Sequence, residues 1–265
     1  MRISSIASGS RGNCILVSNE GTNILVDAGI SKKRIEEGLS KFNVSPDKLD
    51  GILVTHEHAD HIGGLGVFLR KYSIPVYSTS DTIKAILNDK KIGNVDTDLF
   101  YSVKAESVFN IKDIDVKSIR ISHDAVDPVC FKFHDNNKTC AVATDIGVAD
   151  KRLINELSDL DAILIEANHD VNMLYAGPYP YHLKRRIKSD KGHLSNESCG
   201  RILSEIASDK LKHIILGHLS GENNYPKLAF EAVRNEINFS KNKYNSDYFD
   251  IQVASRTEPS CDIVF

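Results

Sequence analysis

Paired cysteines are missing from this 265-residue sequence: its five cysteines are scattered, and no two of them form a Cys-x-x-Cys motif. An odd, scattered set argues against a disulfide framework and favours a reducing compartment. Also missing is any stretch near the roughly 18 continuous apolar residues of a membrane span, and the N-terminus enters a strand-like pattern instead of a signal peptide. We therefore expect a cytoplasmic protein that does not associate with membranes.

A strong excess of positive charge is absent as well, since the formal net charge is −3. The chain therefore has no global attraction for nucleic acid or anionic membranes, and a phosphate-bearing substrate would have to be held locally. No repeat, low-complexity tract or linker interrupts the sequence. Its composition, 41% hydrophobic and 26% charged residues, is that of an ordinary globular protein. Its 265 residues are enough to bury a substantial core, and we expect one domain over residues 1–265.

What the sequence does contain is a dense group of potential metal ligands. The group comprises His56, His58, Asp60 and His61, directly after the apolar run 51–54, which is typical of a buried strand. Side chains alternate in an extended segment, so this strand end can offer two nitrogens to one metal ion and an oxygen and a nitrogen to a second. Imidazole and carboxylate together suit zinc, iron or manganese.

Further ligands for a two-metal centre should also lie where strands end. Three residues meet that condition, each at the point where an apolar strand gives way to a turn containing Gly or Ser: His123, Asp145 and His218. Loops at strand ends carry functional residues disproportionately often.

The coarse pattern is two blocks of mainly strands, each followed by helices. It predicts an α/β (α+β) fold of two sheets packed face to face with helices outside. Two details of that prediction are a single helix over residues 62–69, starting at the metal loop, and a closing strand over residues 248–253.

The segment between Asp145 and His218 contains a second set of candidate residues, for catalysis and substrate binding. His193 lies just before a predicted helix that Ser195 caps, where it could protonate a leaving alkoxide, although it could also simply decorate the helix start. His169 follows a strand end and could line the site. A basic run at 184–191, which includes Lys184 and Arg185, is either a solvated helix face or a phosphate-binding surface on which Tyr181 stacks on bases.

The loop 8–13, which ends at Asn13, joins the first two strands, and we expect that its backbone N–H groups could bind an anion; otherwise it is a plain hairpin turn.

The motif HEHADH, followed by a lone His, an Asp at a strand end and a final His, resembles the metallo-β-lactamase-fold hydrolases over nearly the whole chain. The resemblance implies a four-layer αββα sandwich. It implies that one divalent ion is held by His56, His58 and His123, a second by Asp60, His61 and His218, and that Asp145 bridges the two. Two such ions (Zn, Mn or Fe) would lower the pKa of a shared water and give a hydroxide nucleophile, which Asp60 would orient.

An Asp at position 145 is similar to the phosphodiesterase, glyoxalase and ribonuclease branches of the family, and not to the β-lactamases with a Cys there. By resemblance to ribonuclease Z-like members, Glu166 and His193 would supply an auxiliary acid. The stretches ASGSRGNC, EANHD, GPYPYHLKRRI and GHLSNES resemble the WalJ/YycJ-like subgroup, described as DNA-processing 5′-to-3′ exonucleases. The segment 145–218 is too short for the β-CASP domain with which other nucleases of the family clamp nucleic acid.

The sequence therefore predicts a two-metal phosphodiesterase that acts as an exonuclease on DNA. The alternative is a small-molecule hydrolase of cyclic phosphodiesters, thioesters or lactones at the same site. A third possibility is a metal site used for binding or redox sensing without turnover. The sequence does not indicate the oligomeric state.

Overall fold

Two seven-stranded sheets lie face to face, with helices on both outer surfaces. The computed structural model describes all residues, 1–265. Its strands are β1 (Arg2–Ala7), β2 (Cys14–Ser18), β3 (Asn23–Val26), β4 (Gly51–Leu53), β5 (Val76–Thr79), β6 (Phe100–Val103), β7 (Val108–Ile111), β8 (Ile114–Arg120), β9 (Val129–Asp135), β10 (Lys138–Ala143), β11 (Ala162–Glu166), β12 (His213–Gly217), β13 (Asp250–Val253) and β14 (Ser260–Val264). Its helices are α1 (Lys32–Lys41), α2 (Ala59–Ile62), α3 (Leu65–Leu69), α4 (Ser80–Asn88), α5 (Lys151–Glu156), α6 (Val171–Ala176), α7 (Tyr181–Lys188), α8 (Asn196–Ile206) and α9 (Pro226–Phe239).

Each sheet combines antiparallel and parallel strands. The first has the order β14-β1-β2-β3-β4-β5-β6, and its strands run parallel from β3 to β6. The second has the order β13-β12-β11-β10-β9-β8-β7, and its strands run parallel from β10 to β13. Parallel strands end at a common edge, and ligands of α/β sheets bind there. Both sheets thus bring several strand ends to one side of the molecule.

Three hydrophobic clusters account for the four layers. One fills the space between the sheets and includes Ile3, Phe131 and Leu164; a second packs α1 and α3 on the outer face of the first sheet; a third packs α5, α8 and α9 on the outer face of the second. Because the central strands are covered on both faces, they are continuous apolar runs, such as the first four residues of β11, in which all five residues are buried. The predicted αββα sandwich is confirmed.

The helix expected over residues 62–69 is wrong in one respect, because two short helices, α2 and α3, replace it. The break falls at Gly63 and Gly64, where the chain passes very close to the turn after β3. A Cβ atom at Gly64 would lie 1.8 Å from the carbonyl oxygen of Ile30, and the Gly64 N–H donates to the Ala28 carbonyl at 2.8 Å. This close contact fixes the metal-binding motif against the neighbouring strand end.

The strand predicted over residues 248–253 exists as β13, but it does not close the fold. Another strand, β14, follows it and pairs antiparallel with β1, opposing Ile263 to Ile3. All five cysteines are free. None of the nine helices has the length and apolar character that crossing a lipid bilayer requires.

Candidate metal centre and active site

Three histidine side chains converge at the shared edge of the sheets. His56 and His58 come from the loop after β4, and His123 from the loop after β8. Nδ1 of His58 lies 3.1 Å from Nε2 of His56 and 3.3 Å from Nε2 of His123. Three ring nitrogens thus point at one another, an arrangement in which they could hold a metal ion.

A second group lies directly beside the first. It contains Asp60, His61 and His218, whose potential ligand atoms lie within 4.8 Å of one another. Asp145 is placed between the groups: its Oδ2 lies 3.2 Å from Nε2 of His61 and 3.3 Å from Nδ1 of His218, while its Oδ1 lies 3.7 Å from Nε2 of His123. The structure brings together all seven residues that the sequence proposed as ligands.

In His56 and His123, the ring nitrogen that faces away from the centre contacts another group of the protein. Nδ1 of His123 lies 3.1 Å from the carbonyl oxygen of Gly192, and Nδ1 of His56 lies 3.0 Å from Oγ1 of Thr55. Each contact leaves Nε2 of that ring free to face the centre. Such contacts fix the tautomer and the ring orientation of metal-binding histidines.

Sequence reasoning missed Asp27, which holds His61. Its Oδ2 accepts a hydrogen bond from Nδ1 of His61 at 2.7 Å, and its Oδ1 accepts one from the backbone N–H of Thr55 at 2.9 Å. The carboxylate is buried and ends β3 in the run Val26-Asp27-Ala28-Gly29. The signal was available, because this Asp-x-Gly turn after an apolar strand has the same form as the turn at Asp145.

Buried polar atoms at the centre lack hydrogen bonds, as expected of atoms that bind a metal. Oδ2 of Asp145 and Nδ1 of His218 are both buried and make none, although they lie 3.3 Å apart. An unpaired buried polar group is costly, so these atoms call for a partner. A divalent cation satisfies a carboxylate oxygen and imidazole nitrogens together, and the donor set fits one.

Burial and neighbouring charges set the protonation of the ligands. Burial holds the pKa of His56 well below its usual value and also lowers that of His123, so both rings are neutral and carry a free electron pair. Burial acts in the same direction on His61, but the carboxylates of Asp145, Asp27 and Asp60 outweigh it and raise its pKa well above the usual value. A metal ion at His61 therefore competes with a proton.

His193 and Glu166 form a hydrogen-bonded pair against this centre. Nδ1 of His193 donates to Oε1 of Glu166 at 2.7 Å. The His193 ring stacks on that of His218 with centroids 5.4 Å apart and meets the ring of His123 edge-on at 5.1 Å. Glu166 is fully buried and also accepts the backbone N–H groups of Ile146 and Leu194.

Electrostatics keep the His193 ring protonated. Burial would lower the pKa of His193, but the charge of Glu166 and the hydrogen bond to it, together with Asp145 and Asp60, raise it to about 9. Cations bound nearby would reduce that pKa by repulsion. The side chain remains 15% exposed, so it can reach a bound substrate.

The loop that ends at Asn13 approaches the centre through a side chain. Nδ2 of Asn13 lies 3.2 Å from Nε2 of His61 and 3.5 Å from Oδ2 of Asp60. The backbone N–H groups of Ser8, Gly9, Gly12 and Asn13 are all used inside the protein, which leaves only those of Ser10 and Arg11 for an anion. The side chain, and not a backbone nest, brings this loop to the metal cluster.

The remaining predicted substrate residues have different surroundings. His169 is buried, burial lowers its pKa to about 4, and its Nδ1 has no hydrogen-bond partner. Tyr181 begins α7 and is 76% exposed, and Arg185 is exposed on the same helix. Lys184 instead donates to the carbonyl oxygens of Tyr175 and Gly177, each at 2.7 Å, and so ties α7 to the end of α6.

Comparisons with known proteins agree with this geometry. Residues 7–218 match the model of the metallo-beta-lactamase superfamily. The sequence is 42% identical over 233 residues to exodeoxyribonuclease YycJ of Bacillus anthracis, which covers 88% of each chain. It is 41% identical over 236 residues to exodeoxyribonuclease WalJ of Streptococcus pneumoniae, which covers 89% of this chain and 88% of that protein. The chain belongs to the metallo-beta-lactamase superfamily and, within it, to the group that contains WalJ and YycJ.

Membership makes this chain a metal-dependent hydrolase. Among solved structures, zinc-bound PqqB from Methylobacterium extorquens superposes with a TM-score of 0.73 over the full length of both chains, at 14% identity. That similarity supports the fold alone.

Proposed function

We propose that this protein is a two-metal phosphodiesterase that removes nucleotides from DNA ends in the 5′-to-3′ direction. His56, His58 and His123 would hold one divalent ion, Asp60, His61 and His218 would hold the other, and Asp145 would contact both. When bound, the ions would supply a hydroxide nucleophile at neutral pH and neutralise charge on the phosphoryl oxygens. The same ligands accept zinc, manganese or iron.

The chain's own residues would do the rest of the chemistry. Asp60 is kept ionised: burial would raise its pKa, but the charges of His61 and His218 and a hydrogen bond from His61 lower it. As an ionised carboxylate it would accept a hydrogen bond from the nucleophile and orient it. His193 would donate the proton on Nε2 to the departing alkoxide, because Glu166 binds Nδ1 and leaves Nε2 facing away.

The observation that carries this proposal is the Glu166–His193 pair set against the metal ligands. A thioester expels a thiolate, which is a better leaving group than the alkoxide of a phosphodiester. A carbon ester expels its alkoxide from a tetrahedral intermediate whose oxyanion assists the departure. A protonated histidine held by a buried carboxylate therefore suits phosphodiester cleavage. DNA is proposed because the relatives YycJ and WalJ are named exodeoxyribonucleases.

The contacts that bind a DNA strand would come from the surface around the site. We propose that the chain acts as one domain without a separate clamp, because residues 145–218 are occupied by elements of the sandwich itself, α5 to α8, β11 and β12. Tyr181 and Arg185 on α7 and the side chains of Asn13 and His169 are the proposed substrate contacts. Lys184 is proposed to support them by holding α7 in place.

The test compares wild type with His193→Ala on two substrates that share a diester core. One is 5′-phosphorylated single-stranded DNA, and the other is bis-p-nitrophenyl phosphate, whose leaving group needs no proton. We expect the variant to lose about 10²- to 10⁴-fold in DNA turnover and far less on the small diester. His182→Ala, at an exposed histidine on α7, is the matched control and should retain both activities.

Two results would contradict the proposal. Equal losses on both substrates would mean that His193 does not protonate the leaving group. Turnover of the small diester, or of thioesters and lactones, without release of nucleotides from DNA would support a small-molecule hydrolase instead. Analysis of products from DNA labelled at either end gives the direction of cleavage.

A further inference from the structure

Three arginines converge on a small cavity beside the metal cluster. The cavity has a volume of about 300 Å³, and we call it the arginine pocket; its lining residues are Ser10, Arg11, Arg34, Gly221, Arg256 and Thr257. They come from four separate parts of the chain: the loop after β1, helix α1, the loop after β12, and the turn between β13 and β14. Every side chain longer than Thr in this lining carries a positive charge.

The charge in the arginine pocket is almost uncompensated. Arg34 and Arg256 make no ion pair, and Arg11 has one carboxylate nearby, Oε1 of Glu222 at 3.7 Å, in a contact that is open to water. Such exposed pairs are weak. The pocket therefore has an excess of two positive charges in a protein whose formal net charge is −3.

Two of the arginines are held in place by backbone carbonyls and not by acids. Nη2 of Arg34 donates to the carbonyl of Thr257 at 2.9 Å, and Nη1 of Arg256 donates to the carbonyl of Ser220 at 2.7 Å. A guanidinium has five N–H donors, so most remain free. The stem of Arg256 lies over Gly9, where an added Cβ would approach its Cγ to 2.8 Å.

The arginine pocket lies close to the metal ligands along two paths. Ser220, which anchors Arg256, follows His218 by two residues, and Ser10 precedes Asn13 by three residues. Nδ2 of Asn13 in turn lies 3.2 Å from Nε2 of His61. Three residues span at most about 10 Å, which is about three stacked bases at roughly 3.4 Å each.

We propose that the arginine pocket binds a phosphate group of the DNA strand, one to three nucleotides from the bond that is cut. Free guanidinium N–H groups on a fixed fork match the oxygens of a phosphate. This phosphate is either the 5′-terminal monoester or an internal diester. The inference rests on the proposed nuclease function and extends it by assigning a substrate-binding site outside α7.

The experiment uses the metal-loaded full chain and three variants: Arg34→Gln/Arg256→Gln, Arg11→Gln, and the control Lys33→Gln. Arg11 is a second probe whose replacement cannot unfold the protein, because its side chain is 85% exposed. Lys33 neighbours Arg34 on α1, is 81% exposed and does not line the pocket. The probes are 5′-phosphorylated and 5′-hydroxyl single-stranded DNA and bis-p-nitrophenyl phosphate.

We expect KM for DNA to be at least tenfold higher in the double variant than in the Lys33 control. The factor by which the double variant raises KM should be at least tenfold larger for DNA than for the small diester. Each arginine removed from a phosphate should also reduce the slope of log affinity against log salt by about 0.7. A loss confined to 5′-phosphorylated DNA identifies the terminal phosphate, and an equal loss on both DNAs identifies an internal one.

Failure of the inference and failure of the proposed function give different results. If wild type degrades DNA and the arginine variants match the Lys33 control in KM and salt slope, the pocket binds no phosphate and the inference is overturned. If wild type cuts no DNA but fluorescence anisotropy shows that it binds DNA, and the arginine variants lose this binding, the inference about the pocket is supported and the nuclease proposal is contradicted. No binding and no cleavage by wild type overturns both.

Discussion

Asp27 links the backbone of the first sheet to the metal ligands. Its carboxylate contacts both the N–H of Thr55, at the end of β4, and Nδ1 of His61, in α2. Asp27 adopts a left-handed backbone conformation with φ of 63°, as do Asp145 and His218 with φ of 60° and 52°. This conformation turns the chain sharply where a strand ends, and in each case it places the side chain in the site.

Replacing Asp27 with Asn should weaken metal binding without changing the backbone. Asn tolerates a positive φ as well as Asp does, but it lacks the charge that holds Nδ1–H of His61. We expect affinity for one of the two ions to fall about 10- to 100-fold. A competitive chelator titration measures it.

Asp159→Asn is the matched control, since Asp159 also has a positive φ, of 60°, and its side chain is 79% exposed. It should bind both ions as wild type does. Equal affinity in Asp27→Asn and Asp159→Asn would mean that Asp27 does not support the centre.

At the scale of elements, the final strand β14 completes the first sheet by pairing with β1. Only Ile263 in this strand is buried, at 4% exposure, where it packs in the cluster between the sheets. The neighbouring Val264 points to solvent and is 74% exposed. Substitutions at Ile263 and Val264 therefore distinguish the contribution of core packing to stability from that of strand propensity.

Ile263→Ala should lower the free energy of unfolding by about 2–4 kcal/mol, because it leaves a cavity between the sheets. Val264→Ala should cost less than about 1 kcal/mol, since it removes little buried surface. Urea denaturation measures both. Similar losses in the two variants would place the contribution of β14 in its backbone pairing instead of in the core.

The same element explains what local sequence patterns could not predict. Most strands and helices could be predicted from apolar runs and helix caps. One such cap is Ser31, whose side chain accepts a hydrogen bond from the backbone N–H of Arg34 at the start of α1. β14 has one buried apolar residue and owes its structure to pairing with residues some 260 positions earlier. The division of residues 62–69 into two helices likewise depends on contact with Ile30, which is remote in sequence.

For the whole molecule, the candidate centre joins the two halves of the chain. His56, His58, Asp60 and His61 belong to the first sheet, and His123, Asp145 and His218 to the second. Strand ends and ligand spacing were enough to propose all seven, and their roles as ligands remain a prediction. The Asp-x-Gly turn at Asp27 marks a residue that could face the site, but its bond to His61 could not be predicted. That bond and the contact of Gly192 with His123 depend on how loops that are distant in sequence pack together.

Removing metal should therefore destabilise the fold as a whole. Ions that bind only the folded chain add about 3 kcal/mol when the free metal is about 100 times Kd. We expect a chelator to lower Tm and added metal to restore it. His218→Asn, which keeps a residue that tolerates the left-handed backbone, should lose part of this metal-dependent shift, while His182→Asn should keep all of it. A Tm independent of metal in wild type would argue against a centre that joins the sheets.

The most direct test of the account is to count the ions and the activity together. Metal-free protein is titrated with zinc or manganese while bound metal per chain and nucleotide release from 5′-phosphorylated single-stranded DNA are measured on the same samples. The account requires two ions per chain, with full activity only after the second has bound, and loss of the second ion in His218→Asn. Full activity with one ion per chain, or two bound ions without any hydrolysis of DNA, would contradict it.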